Sequence, residues 1–247
     1  MMNKHIFVFL GLVMFQAANG ACTDEPAPKV NWSGCDKSGK NFANLDIQGA
    51  NLTRTNLSAS NFSNSKLNDV DFGSANISHA KFNGAHMQDA RLVSANAEQA
   101  DFREAKLDKA SFSRASLHKT NFTGARLINA TFYEARAESA IFNEAELDGA
   151  NFQRANLTRA TFINVTAARV DFRGANLEGA VMRDSQLLRC DFSKANLTNI
   201  DFTSANLTKS SLREAIIDGA IFEKTILSDT GWIDYSRCPT NAVGRCR

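Results

Sequence analysis

Residues 121–150 read NFTGARLINATFYEARAESAIFNEAELDGA, and the spacing inside this stretch decides the fold. Phe122, Leu127, Phe132, Ala137, Phe142 and Leu147 recur every five residues, and those from Leu127 onward are each preceded, two places earlier, by an alanine. A period of five suits neither a helix, which repeats near 3.6, nor a flat strand, which repeats at 2. It suits a short extended segment followed by a corner, wound around a coil. In that geometry the central residue and the small one before it point inward, and the other three positions face water. The small residue sits beside a corner, where close packing leaves little room.

The register extends outward without a slip from Phe42 to Trp232, giving 39 central positions, all apolar. Only Ala97, Ala137 and Ala167 among them are small. Such self-similarity marks a solenoid. At the small position Val70, Val165, Val170, Cys190 and Ile200 replace alanine. Val165 and Val170 flank Ala167, so volume lost at the centre is expected to be restored from the sides.

A second period lies over the first. All 15 phenylalanines from Phe42 onward fall at central positions whose numbers end in 2, whereas those ending in 7 hold Leu, Ile, Met or Ala. With three pentapeptides per coil, Phe would stack on Leu; with four it stacks on Phe. Two per coil would keep the register but could not enclose the rings. The expectation is an all-β quadrilateral β-helix of about ten coils, roughly 45 to 50 Å long at ~4.8 Å per coil. Its core ladder includes Phe102, Phe122 and Phe142 on one side and Phe132, Phe152 and Phe172 on the other.

The triplets Ala75-Asn76-Ile77, Ala155-Asn156-Leu157 and Ala205-Asn206-Leu207 carry an A(D/N)LXX pattern that resembles the pentapeptide-repeat proteins. This resemblance implies a square, right-handed β-helix, in agreement with the coil count argued from Phe spacing. It also implies a function for some members, which mimic the DNA duplex and act on DNA gyrase; those are cytosolic and strongly acidic. Here residues 21–247 hold 27 basic and 26 acidic side chains. Arg54, Arg91, Arg114, Arg154, Arg173 and Arg213 are expected on one face, whereas mimicry of DNA needs the opposite charge. The balance also argues against nucleic-acid binding.

The ends differ from the repeat. Residues 1–20 combine Lys4 and His5 with the apolar run Ile6 to Phe15 and small residues at Ala18 and Gly20, which reads as a secretory signal peptide cut before Ala21. The run is too short to span a bilayer. Lipid attachment at Cys22 is the competing reading, but Asn19 stands where a lipobox ordinarily has Leu. The expected organisation is therefore signal peptide 1–20, N-terminal cap 21–40, β-helix 41–232 and C-terminal cap 233–247. All three prolines, with Trp32 and Tyr235, lie in the expected caps. So do Cys22 and Cys35 at one end and Cys238 and Cys246 at the other, which suggests two local disulfides in an exported protein. Cys190 reads as a buried thiol replacing alanine.

Few residues in the sequence suggest chemistry. His79, His86 and His118 occupy outward positions, and the first and last share a face two coils apart, too far for one metal ion. No nucleophile elbow, phosphate loop or H-E-x-x-H helix is present. Asn51-Leu52-Thr53 and similar Asn, Asp and Ser clusters are attributed to turn chemistry rather than to glycosylation or calcium. Ile141, Ile163, Val181 and Ile221 are expected to face outward on one side, with Ile216 and Ile226 on adjoining faces, as a surface for self-association or a partner in the C-terminal half. The reading is an exported, non-catalytic scaffold or protein-binding rod, periplasmic or secreted, with an unidentified protein or envelope partner, no cofactor and no membrane span. A gyrase-interacting DNA mimic is the alternative.

Overall fold

A computed structural model describes residues 22–246; the expected signal peptide lies outside the described residues. The chain forms a right-handed β-helix in which every bridge along the rod is parallel and joins residues 20 apart, as in Asn121↔Ile141↔Thr161. Four pentapeptides thus close each coil. The column from Asn31 to Gly231 climbs ten such steps, which at ~4.8 Å each gives about 48 Å. Most sides contribute a single bridged residue. Among the described residues the side lengthens to a three-residue strand at β1 (Thr166–Ala168) and β2 (Gln186–Leu188), which pair in parallel with Ala167 opposite Leu187.

The corner is a turn closed by the N–H of the small residue on the carbonyl of the preceding central one, as in Ala75 N–H to Phe72 O at 2.9 Å. Its third residue, at numbers ending in 4 or 9, is left-handed even where it is Arg54, Ala59 or Glu104 (φ 56°, 56° and 59°). That conformation costs an L-residue roughly 1 to 2 kcal/mol. It persists because along the rod, up to the last coil, such an N–H also bonds the next coil, as Arg54 N–H does to Gly73 O at 2.9 Å, so the ladder overdetermines the backbone. Asn and Asp at numbers ending in 1 or 6 fix the entry to the turn: Asn51 Oδ1 accepts the Thr53 N–H at 3.1 Å and its hydroxyl at 2.8 Å. Turn stabilisation therefore accounts for that sequon-like triplet structurally.

Inside, most phenylalanines stack on a phenylalanine of the next coil and meet those of the opposite side edge-on, the columns being interrupted as at Leu52, Leu92 and Met182. Phe142 lies 4.9 and 4.7 Å from Phe122 and Phe162, nearly parallel, and 5.6 and 5.5 Å from Phe132 and Phe152, nearly perpendicular. Both arrangements suit the ring quadrupole. Phe102, Phe122, Phe132, Phe142, Phe152 and Phe172 are all buried. Serine or threonine at the small position is buried too, and its hydroxyl bonds main-chain carbonyls, as Thr120 does to Ala97 O at 2.7 Å.

The helix begins about ten residues earlier than the sequence boundary of 41. Asn31 and Asp36 already bridge Asn51 and Asn56, and Trp32 is fully buried within a coil rather than in a separate cap. The pattern was hidden by Lys37, which stands at a central position where apolar residues otherwise recur; its ammonium lies 4.2 Å from the Trp32 ring centroid instead. At the other end, residues 233–246 fold back over two sides of the coil, with Arg237 antiparallel to Gly231 and Val243 antiparallel to Ile226.

Val165 and Val170 are both buried beside Ala167, and the turn there opens. The Val165 N–H donates to Ser185 Oγ at 3.1 Å, while that hydroxyl donates to Phe162 O at 2.5 Å, so a side chain from the next coil replaces the direct turn bond. Ser210 does the same between Cys190 N–H and Leu187 O, at 2.9 and 2.6 Å.

Candidate interaction surfaces

Among the described residues the inward side chains are buried against one another and fill the coils, which leaves the four side faces and the two ends as the surfaces available for binding. The face built on the column Asn31 to Gly231 carries a ladder of exposed ion pairs. Arg114 and Arg154 approach Glu134 from either side at 3.9 and 3.7 Å, and Arg173 pairs with Asp171 at 2.6 Å and Asp191 at 3.8 Å. Burial pushes the Asp171 carboxyl up, but hydrogen bonds from Arg173 and Gln153 and the Arg173 charge outweigh it and hold the group below the usual carboxylate value. Exposed pairs of this kind contribute little each. Their consequence is that Arg91, Arg114, Arg154 and Arg173 are locally matched by carboxylates along the face, whereas Arg54 and Arg213 form no ion pair among the described residues.

The next face carries an amide ladder: Asn56 donates to Asp36, Asn76 to Asn56 and Asn96 to Asn76 at 3.1 to 3.3 Å. His79 and His118 lie on this side, and His86 stands between Lys66 and Lys106 in another column. Among the described residues no group of three or more His, Cys, Asp or Glu side chains could hold a metal ion.

Ile141, Val181 and Ile221 share one column but alternate with Thr161 and Asp201, and Ile163 sits two residues beyond Thr161. Only Ile221 of the four is exposed. Asp201 accepts a 2.6 Å bond from Arg183 and a 2.9 Å bond from the Thr203 N–H, which places a paired carboxylate inside the row. The row expected from the sequence is therefore interrupted. The exposed large apolar residues, Ile216, Ile221, Ile226, Tyr235 and Val243, gather instead at the C-terminal end. A depression of about 370 Å³ lies there between Ile217, Ala220, Phe222, Trp232 and Arg245. Sequence reasoning missed it because Ile217, Ala220, Phe222 and Trp232 keep the repeat pattern; only the absence of a following coil on their side distinguishes them.

Cys22 is bonded to Cys35 and Cys238 to Cys246, with Cα separations of 5.5 and 4.8 Å. The N-terminal bond ties residues 22–30 beneath Trp32, whose indole N–H donates to Asp24 O at 3.1 Å. Cys190 is free and buried; burial is the main cause of a thiol pushed up to about 12, which leaves it unreactive. No helix of the described residues is long and apolar enough to cross a membrane.

A pentapeptide repeat region model matches residues 75–152, 115–190 and 135–222, and a model of eight pentapeptide repeats matches 29–58 and 38–73. The chain belongs to the pentapeptide-repeat family. It is similar in fold to HetL, a pentapeptide repeat protein involved in heterocyst differentiation regulation from the cyanobacterium Nostoc sp. strain PCC 7120, at 24% identity and TM-score 0.69, covering 81% of this chain and 92% of that one. A trypsin-treated form of QnrB1, a plasmid-mediated fluoroquinolone resistance protein, matches at 21% identity and TM-score 0.42, covering 77% of this chain and 89% of the other. No curated protein sequence matches the chain.

Proposed function

We propose that the protein is an exported, non-catalytic rod that binds other proteins in the periplasm or outside the cell. The observation that carries this reading is a cysteine pair bonded at each end of a solenoid whose core is filled by stacked rings. Paired structural cysteines belong to oxidising compartments, and a filled core offers faces and edges rather than a pocket for chemistry. The apolar leader at residues 1–20, cut before Ala21 rather than lipidated at Cys22, completes the proposal. The locally matched ion pairs and near-neutral balance give no support to the gyrase reading, which needs an acidic surface.

The test is the intact mass of the protein from a cell-envelope extract, with and without reduction. The proposal expects a chain starting at Ala21 that gains four hydrogens on reduction, two for each cap disulfide. A full-length, reduced chain in the cytosol would overturn it.

A further inference from the structure

Inward-facing residues are buried in every coil from Ala50 to Ala215, but Ile217, Ala220 and Phe222 are only partly covered. The main chain changes at the same place. One coil below, the N–H groups of Leu197, Asn199, Phe202 and Ser204 donate upward at 2.8 to 2.9 Å, and the carbonyls of Ala195 and Ile200 accept from Ile216 and Ile221. Twenty residues further on, the N–H groups of Ile217, Gly219, Phe222 and Lys224 and the carbonyls of Ala215 and Ala220 have no backbone partner among the described residues. The antiparallel tail closes the neighbouring sides; among the described residues its last backbone bond to the coil is Gly244 N–H to Thr225 O at 2.9 Å, and Arg245 and Cys246 beyond it border the depression beside Ile217 and Phe222 without a backbone bond to these two sides. The bare edge is thus continuous with a strand pairing that the molecule already makes.

We propose that these two sides form a docking edge for an extended segment of a partner polypeptide with this chain's own spacing, a small residue followed two places later by a large apolar one. The inference rests on the protein-binding reading and names the chemistry of the partner. An added segment in the register of the coils would receive four N–H bonds and return two to the free carbonyls. Its apolar side chains, five residues apart, would lie on Ile217 and Phe222, the second beside the depression next to Trp232. Strand addition of this kind takes its affinity from main-chain bonds and its specificity from alternate side-chain pockets. A second folded rod fits the edge less well. The tail resting on Ile226 and Gly231 stands one rung above the bare sides, so a flat end would meet the tail first, whereas a single extended segment lies beside it.

The probe is a labelled synthetic peptide with residues 155–164 of this chain, which lie on the same two sides and carry Ala155 before Leu157 and Ala160 before Phe162, measured by fluorescence anisotropy against the disulfide-bonded protein. Saturable binding is expected. It should weaken at least tenfold with Ala220→Asp in the protein, remain unchanged with Ile163→Lys on the protein's side face, and disappear when the peptide is N-methylated at Thr161, a change that leaves the protein untouched. No saturable binding to protein of native circular dichroism, or equal binding of the methylated peptide, overturns the proposal. Light scattering that shows a dimer broken by Ala220→Asp, without peptide binding, overturns it as well and gives the edge to a second copy. None of these results bears on export, which the intact mass decides separately.

Discussion

Phe142 and Phe222 occupy the same column of the rod, four coils apart, and the repeat around them reads alike. Phe142 is buried among four rings, two stacked and two edge-on. Phe222 is only partly covered, stacked on Phe202 at 5.6 Å and tilted against Trp232 at 5.4 Å. The comparison teaches that in a solenoid an identical residue owes its burial to the coils on both sides. A pattern can therefore specify a coil without specifying whether it is covered.

The largest expected effect lies in mid-rod: Phe142→Ala should cost about 3 to 5 kcal/mol in urea unfolding, as expected for a fully buried phenylalanine. Opening the C-terminal cap with Cys238→Ser and Cys246→Ser should cost roughly 2 to 3 kcal/mol from loop closure, read as a lower melting temperature that reductant lowers no further at that end. Phe222→Ala should cost about 1 to 2 kcal/mol, since only part of its surface leaves water on folding. If it matched Phe142→Ala, the distinction between the two regions would fail.

The smallest effect is electrostatic and pH-dependent. Burial pushes the Asp201 carboxyl up, but bonds from Arg183 and Thr203 outweigh it and hold the group below its ordinary value. A depressed carboxylate stabilises the fold above its unfolded value, about pH 4, and the contribution is lost as pH falls through the folded value. Asp201→Asn should therefore be less stable by about 1 kcal/mol at neutral pH, with the gap closing toward pH 2. A gap that widened in acid would contradict this sign.

The coil was legible because phenylalanine fixes it: every phenylalanine from Phe42 onward falls at a number ending in 2, so four pentapeptides per coil bring most of the rings over one another. The left-handed corner was less so, although ten glycines at numbers ending in 4 or 9, from Gly34 to Gly244, marked it. Arginine, lysine and glutamate at equivalent corners obscured that signal, because the coil-to-coil bonds and not the side chain hold the conformation. The serine bridges at Ser185 and Ser210 could not be read, since a hydroxyl at the small position looks the same whether its turn is closed or open. The bare C-terminal edge was hidden for a similar reason: Ile217, Ala220 and Phe222 continue the pattern, and what is missing is the coil above them.

The most direct test of the contrast between covered and bare coils is residue-resolved amide hydrogen exchange. The Asn199 and Phe202 amides, bonded to Asp218 O and Ile221 O at 2.8 and 2.9 Å, should exchange slowly. Those of Gly219 and Phe222, at the same positions one coil later, should exchange far faster. Equal protection of the two pairs in the isolated protein would mean that the last coil is covered, and the account of this end would be wrong.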